Sequence, residues 1–392
     1  MKNHIIAIFV GLALVACNTP AAQEGNPSIP IVDKVLANVG EATKYKAELY
    51  RQWKDSIAVA LKPEYEARTL DMYDFQMKLW WEVYGEKPAG GRSLYISLHG
   101  GGNGPAEMND QQWENQKKLY TPEEGVYVAP RAIVNTWDLH FVPQADLFYE
   151  RIIEMMVAFE NVNPNRVYLM GYSAGGDGVW RLAPRMADHW AAASMMAGHP
   201  GDVRLDGLRN TPFMIWCGAE DDAYDRNKEC EARIKELDAL QAADPAGYVH
   251  EGHIVPGKGH WMDREDAAAV PWMAQFTRNP YPTKVVWVQG DVMKESFYWL
   301  GAPITEAAKG CKVVADYDRS TNTVEIEWCD YKSLTIFLND DMLDLDKPVT
   351  VLFAGRELFN GMVVRNANTM RKNLLSREDL AFAFPAQITV TI

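Results

Sequence analysis

A serine hydroxyl is a weak nucleophile in neutral water. It attacks a carbonyl only when a nearby base removes its proton and an acid orients that base. One serine of this chain stands in a setting suited to such activation. Val167 to Met170 is a short apolar run, long enough for one buried strand. It leads directly into Gly171-Tyr172-Ser173-Ala174-Gly175, and Val179 to Met186 then reads as a helix. Strand, sharp turn and helix are the context in which G-x-S-x-G is a nucleophile elbow. The glycines leave room for a strained turn that holds the Ser173 hydroxyl out at the carboxyl edge of a sheet. The helix N-terminus behind it favours developing negative charge.

Base and acid are sought further along the chain. Thr211 to Gly218 reads as a strand, with Glu220, Asp221 and Asp222 in the loop past it. Asp221, three residues beyond Gly218, is the first choice for the acid, ahead of Asp222. Three histidines follow. His250 and His253 fall inside a strand-like run, Gly247 to Val255, and no third ligand stands near them to complete a metal site. His260 lies in the glycine-bounded loop Pro256-Gly257-Lys258-Gly259-His260-Trp261, where a ring can swing over the sheet edge. It is the candidate base.

Upstream, the strand Ser93 to Leu98 runs into His99-Gly100-Gly101-Gly102-Asn103. Consecutive glycines let backbone N–H groups point into a cavity. Such a loop supplies half of an oxyanion hole, and the residue after the nucleophile supplies the other half. That assigns Gly101, then Gly102, together with Ala174; His99 braces the loop. Trp113, Trp137, Trp180 and Trp261 lie in or beside these loops, and Trp137 and Trp261 are the candidates for stacking on a substrate ring.

The elements around these residues alternate. Val32 to Arg68 reads as amphipathic helix, and Gln76 to Tyr84 as a strand. Asp110–Tyr120 reads as helix, Gly125–Pro130 as strand, Asp146–Phe159 as helix, Asn227–Leu240 as helix and Asp263–Phe276 as a closing helix. Alternation of this kind argues a parallel sheet covered on both faces. From Tyr281 the pattern becomes short strands and turns, which predicts a separate β-sandwich-like domain.

The elbow, the H-G-G-G loop, the G-A-E-D loop and the G-K-G-H loop occur in the order nucleophile, acid, base. Over residues 76–276 the chain resembles exported serine esterases of the α/β-hydrolase superfamily, of the dienelactone-hydrolase, feruloyl-esterase and polyhydroxybutyrate-depolymerase type. The resemblance implies an α/β-hydrolase fold with a doubly wound, mostly parallel sheet. It also implies a cofactor-free, metal-free acyl-enzyme mechanism through Ser173, Asp221 and His260. The β-rich tail is not part of the usual single-domain enzyme. A peptidase of the prolyl-oligopeptidase type is the alternative enzyme, although no blade repeat precedes the core. A catalytically inactive, glycan-binding surface lipoprotein is the alternative from another class.

Composition sets the outer bounds. The chain has 392 residues, is 47% hydrophobic and carries a net charge of -14, which argues against a nucleic-acid partner. Lys2, the apolar stretch Ile5 to Val15 and the ending Leu14-Val15-Ala16-Cys17 resemble a bacterial lipoprotein signal with Cys17 lipidated. The domains expected are 1–17 signal, 18–30 flexible tether, 31–280 catalytic unit with a helical lead, and 281–392 β-rich unit. The protein is then exported and meets the membrane only through its anchor. Cys217, Cys230, Cys311 and Cys329 remain, and an exported chain permits disulfides, with Cys217–Cys230 and Cys311–Cys329 the simplest pairing.

Overall fold

The computed structural model describes residues 29–392; Cys17 and most of the tether lie outside the described residues. The chain enters through helices α1 (Val39–Ala60) and α2 (Lys62–Ala67). An eight-stranded sheet follows, made of β1 (Thr69–Met72), β2 (Phe75–Tyr84), β3 (Arg92–Leu98), β4 (Gly125–Pro130), β5 (Val162–Tyr172), β6 (Ala192–Met196), β7 (Phe213–Gly218) and β8 (His250–Val255). Helices α3 (Ala106–Gln116), α4 (Ala145–Phe159), α5 (Ala174–Arg185), α6 (Arg226–Ala243) and α7 (Ala269–Met273) connect and cover it. The spatial order is β1-β2-β4-β3-β5-β6-β7-β8. The β1–β2 and β2–β4 pairings are antiparallel, and every pairing from β4 through β8 is parallel. A mixed sheet of this order, with helices on both faces, fits the α/β-hydrolase expectation.

The two faces follow from strand periodicity. Leu94, Ile96 and Leu98 of β3, Val126 and Val128 of β4, and Val167 and Leu169 of β5 join one core with α1 and α4. Their alternates, Tyr95, Tyr127, Tyr168 and Met170, join the opposite core with α7. Successive side chains point to opposite faces, so strands buried on both sides read as unbroken apolar runs. The nucleophile strand β5 lies between β3 and β6, with its carboxyl end at the centre of the sheet edge.

Beyond residue 280 the chain builds two further sheets. One has the order β10 (Ser296–Phe297), β11 (Leu300–Gly301), β14 (Ser333–Leu338), β17 (Ala386–Thr391). The other has the order β16 (Arg356–Gly361), β15 (Val349–Phe353), β13 (Thr323–Cys329), β12 (Lys312–Asp318), β9 (Lys284–Val288). Residues of both sheets, among them Trp287, Val313, Ile326, Ile336 and Val390, share one core.

Several expectations need correction. The C-terminal part is not all-β: α8 (Ala367–Arg377) interrupts it, and Ala367, Met370 and Leu374 pack into the core beneath the large sheet. Met362–Arg365 lies between that helix and the strand Arg356–Gly361. The closing helix expected over Asp263–Phe276 is only a 3-10 turn, Glu265–Ala268, followed by the five residues of α7. All four cysteines beyond Cys17 are free thiols. The adjacent Cys217 thiol and burial push the Cys230 thiol well up, so Cys230 is held protonated.

Candidate active site

The elbow is strained, and its surroundings hold the strain in place. Ser173 has φ 58° and ψ -123°, a region that costs about 1–3 kcal/mol for a residue with a side chain. Its N–H donates to Met196 O at 2.9 Å, and its carbonyl accepts from Asp177 N–H at 3.0 Å. The glycines are required by close approach. A Cβ on Gly171 would lie 2.4 Å from Gly175 O, and one on Gly175 would lie 2.1 Å from Leu98 O. With no side chains there, α5 begins directly beneath Ser173, against the ends of β3 and β5.

The three residues singled out by the sequence come together. His260 Nε2 is 2.9 Å from Ser173 Oγ, and His260 Nδ1 is 2.7 Å from Asp221 Oδ2. Asp221 is buried, whereas Glu220 and Asp222 are exposed on the loop. The Asp221 carboxylate is held from the other side by Arg226 Nη1, 3.4 Å from Oδ1. Tyr172, in the x position of the motif, donates its hydroxyl to the His260 carbonyl at 2.7 Å and accepts the Met262 N–H at 3.2 Å. The histidine loop is thereby tied to the elbow itself. His250 instead contacts Asp238, and His253 stacks on Trp216 with centroids 4.0 Å apart. No cluster suited to a metal ion occurs among the described residues.

The glycine loop lies against the serine: a Cβ on Gly100 would be 3.3 Å from Ser173 Cβ. Asn109 Oδ1 accepts the Gly102 N–H at 2.7 Å, which occupies that donor. Gly101 stands at φ 108°, and a Cβ there would meet Asn109 Oδ1 at 2.4 Å, so only glycine fits. Its N–H has no protein acceptor among the described residues. Ala174 opens α5, so its N–H has no partner within the helix. His99 is buried and braces the loop: Nδ1 faces Gly100 O at 2.6 Å, and Nε2 accepts the Ala132 N–H at 3.1 Å. Burial lowers its pKa to about 3, so it stays neutral.

Two clefts open at Ser173. The first, about 600 Å³, is walled by Gly101, Gln112, Tyr172, His260 and Trp261. The second, about 460 Å³, is walled by Trp137, Phe141, Ala174, Asp177, Arg181 and Arg226. Trp137 and Trp261 are 60% and 50% exposed, as rings free to receive a ligand must be. The other two tryptophans are packing residues. Trp180 is buried in the core, and Trp113 donates to Ala129 O at 2.8 Å beneath Lys117. Asn109, Tyr172, Asp177 and Arg226 were not singled out from sequence. Their roles depend on contacts between separate loops, and no local motif announces them.

No family model matches the chain. A curated protein named "Putative esterase NocK", from Nocardia uniformis subsp. tsuyamanensis, is 31% identical over 127 residues, 30% of this chain and 37% of that protein. The match thus spans little more than a third of that relative's length. Among solved structures, a thermostable esterase overlaps 54% of this chain and 62% of its own at 17% identity, with a TM-score of 0.42. A ferulic acid esterase overlaps 53% and 95%, also at 17% identity, with a TM-score of 0.38. Est1E from Butyrivibrio proteoclasticus overlaps 53% and 95% at 14% identity, with a TM-score of 0.34.

Proposed function

We propose that the chain is an exported, lipid-anchored serine carboxylic-ester hydrolase that acts on acyl or aryl esters of carbohydrate. The observation that carries the hydrolase reading is the relay Ser173–His260–Asp221, at 2.9 and 2.7 Å on a strained elbow. His260 Nε2 takes the Ser173 proton as Oγ bonds to the ester carbonyl carbon. The Gly101 and Ala174 N–H groups receive the negative oxygen, and Asp221 stabilises the imidazolium. Collapse of the tetrahedral intermediate breaks the ester bond, and His260 hands its proton to the leaving alcohol. Water then attacks the acyl-enzyme. His260 takes one of its protons and returns it to Ser173 Oγ as the acid is released.

The carbohydrate reading rests on two exposed tryptophans at the clefts and on an acidic chain whose net charge of -14 disfavours polyanionic targets. Export and anchoring rest on the Leu-Val-Ala-Cys ending of the leader. The test is labelling by a fluorophosphonate probe and turnover of acetyl, feruloyl and nitrophenyl esters by wild type and Ser173→Ala. Labelling and turnover that both vanish in the variant support the reading. An unlabelled wild type, or better turnover of a proline-containing peptide amide, overturns it.

A further inference from the structure

The two clefts are not equivalent, because only one is walled by the general acid. A leaving alkoxide must take its proton from His260 Nε2, within hydrogen-bond reach. His260 walls the 600 Å³ cleft and is absent from the walls of the 460 Å³ cleft. The alcohol half of the ester therefore departs through the cleft that holds His260 and Trp261. The acyl half has to occupy the other cleft, beside Ala174.

The chemistry of that second cleft selects what fits. Trp137 and Phe141 meet edge to face with centroids 5.2 Å apart and offer an apolar wall to a flat group. Opposite in character, Asp177 sits four residues after the nucleophile on α5. One of its carboxylate oxygens accepts the His199 N–H at 2.6 Å, and the other has no protein donor among the described residues. Arg181 contributes a guanidinium that is held by Asp202 at 2.6 Å and lies over Phe141, its carbon 5.6 Å from the ring centroid. Arg226 contributes a second guanidinium from the Asp221 side. An acetyl group, with roughly the bulk of two waters at ~30 Å³ each, leaves most of a 460 Å³ space unfilled. A plain hydrocarbon chain fills the space but strips water from Asp177 and the arginines without replacing its hydrogen bonds.

We propose that the cleft of Trp137, Asp177 and Arg181 is the acyl subsite, and that it takes a ring acid bearing hydroxyl groups. The ring lies against Trp137, a ring hydroxyl donates to the free Asp177 oxygen, and the guanidinium groups face the ring's oxygen acceptors. This assignment rests on the serine-esterase reading. Phenolic acids and sugar acids both present this chemistry.

Methyl esters test it, since methanol leaves the alcohol cleft nearly empty. The measurement is kcat/KM for methyl ferulate, methyl cinnamate, methyl glucuronate and methyl acetate. Wild type should prefer a hydroxylated ring ester over both cinnamate and acetate; whichever of ferulate or glucuronate is favoured identifies the source. Asp177→Asn should reduce the preference for the hydroxylated ring over cinnamate by about tenfold or more, because a site that hydrogen-bonds a substrate hydroxyl discriminates against the analogue lacking it. Trp137→Ala, an exposed site that does not threaten folding, should lower kcat/KM for both ring esters relative to acetate. Trp261→Ala should change selectivity among alcohols at a fixed acyl group and leave acyl selectivity alone. The proposal falls if Trp261 governs acyl choice and Asp177 alcohol choice, or if wild type favours acetate. Fluorophosphonate labelling separates the two levels: a labelled enzyme with the wrong selectivity refutes the subsite, and an unlabelled one refutes the esterase reading beneath it.

Discussion

Gly175→Ala adds one methyl group directly behind the reacting serine, and its consequences can be worked from the structure. The new Cβ would lie 2.1 Å from Leu98 O, 2.6 Å from Leu98 C and 3.0 Å from His99 O, where ordinary contact begins at 3.4 Å. These are backbone atoms at the end of β3, so no side chain can rotate away. Either α5 or the end of β3 has to move by about 1.3 Å, the difference between 3.4 and 2.1 Å. Overpacking of this kind costs about 1–3 kcal/mol or more, against a gain of about 1 kcal/mol for alanine over glycine in a helix. The larger effect is on turnover. Leu98 and His99 lead directly into Gly101, and Gly175 follows Ala174, so the clash drives the two oxyanion donors apart. Displacement of a catalytic group by ~1 Å costs about 10²-fold, and loss of one oxyanion donor about 10²–10³-fold. The expected result is kcat on 4-nitrophenyl acetate lowered by about 10²-fold or more, with Tm several degrees below wild type by calorimetry. Gly90→Ala, whose Cβ meets nothing nearer than 3.9 Å, is the control and should change neither. A Gly175→Ala enzyme with kcat within twofold of wild type and an unchanged Tm would refute the argument that this backbone contact holds the site.

Asp221→Asn should lower kcat by about 10⁴-fold, since an amide cannot fix the imidazole tautomer, while Asp222→Asn should stay within twofold; steady-state kinetics would expose a wrong acid. Arg377→Ala strips Asp188 of a buried partner at 2.5 Å, which should cost about 3–5 kcal/mol and lower the calorimetric Tm of the whole chain. Glu154 has both carboxylate oxygens buried without hydrogen bonds, and burial pushes its pKa well up. A raised folded pKa contributes stability below the ordinary glutamate value that is lost as pH rises towards the folded one. Glu154→Gln should therefore raise Tm at pH 8 and do little at pH 4, and equal shifts at both would contradict the burial argument. Cys17→Ser should release the protein from the membrane fraction, which mass spectrometry of the mature N-terminus and fractionation would check.

The site was legible where its chemistry is written in consecutive residues. The elbow, the glycine loop and the histidine loop are each a local sequence, and the three-residue offset past Gly218 and the glycine-bounded loop rank Asp221 and His260 ahead of their neighbours. Elements whose conformation depends on distant contacts were harder to read. The β1–β2 hairpin turns at Tyr73 and Asp74, both at positive φ, without the Asn-Gly or Asp-Gly signal that marks such turns. Strand β6 is the alanine- and methionine-rich run Ala192–Met196, whose residues favour helix; burial between β5 and β7 overrides that preference. Helix α8 is short, has Asn366 as its N-cap and packs on a core formed some two hundred residues earlier, so its apolar face is small. Trp113 and Trp180 stood near the right loops in sequence but point into packing, because loop proximity says nothing about which way a ring faces.

The C-terminal segment bears on catalysis through the far end of the helix that carries Ala174. Arg185 closes α5 and is buried. Its guanidinium reaches Asp146 of α4 at 2.5 Å and Asp291 of the C-terminal segment at 3.0 Å. Lys294, from that same segment, meets Asp146 at 2.9 Å. Ionic contacts of this depth add little net stability, because desolvation offsets most of the attraction; removing one partner is what costs. Their effect is geometric: a planar guanidinium bridging two carboxylates, Asp146 through Nη2 and Asp291 through Nη1, fixes both position and direction in a way that an apolar contact does not. The helix is thus fixed at its C-terminus by charges from α4 and the C-terminal segment, and at its N-terminus by glycine contacts with the carbonyls of β3 and β6. A backbone N–H that must meet an oxyanion as the charge develops has to be set in place before the substrate arrives. Holding α5 at both ends does this, and it gives a reason for charged residues of the loop between β9 and β10, Asp291 and Lys294, to pack where apolar ones could have closed the core.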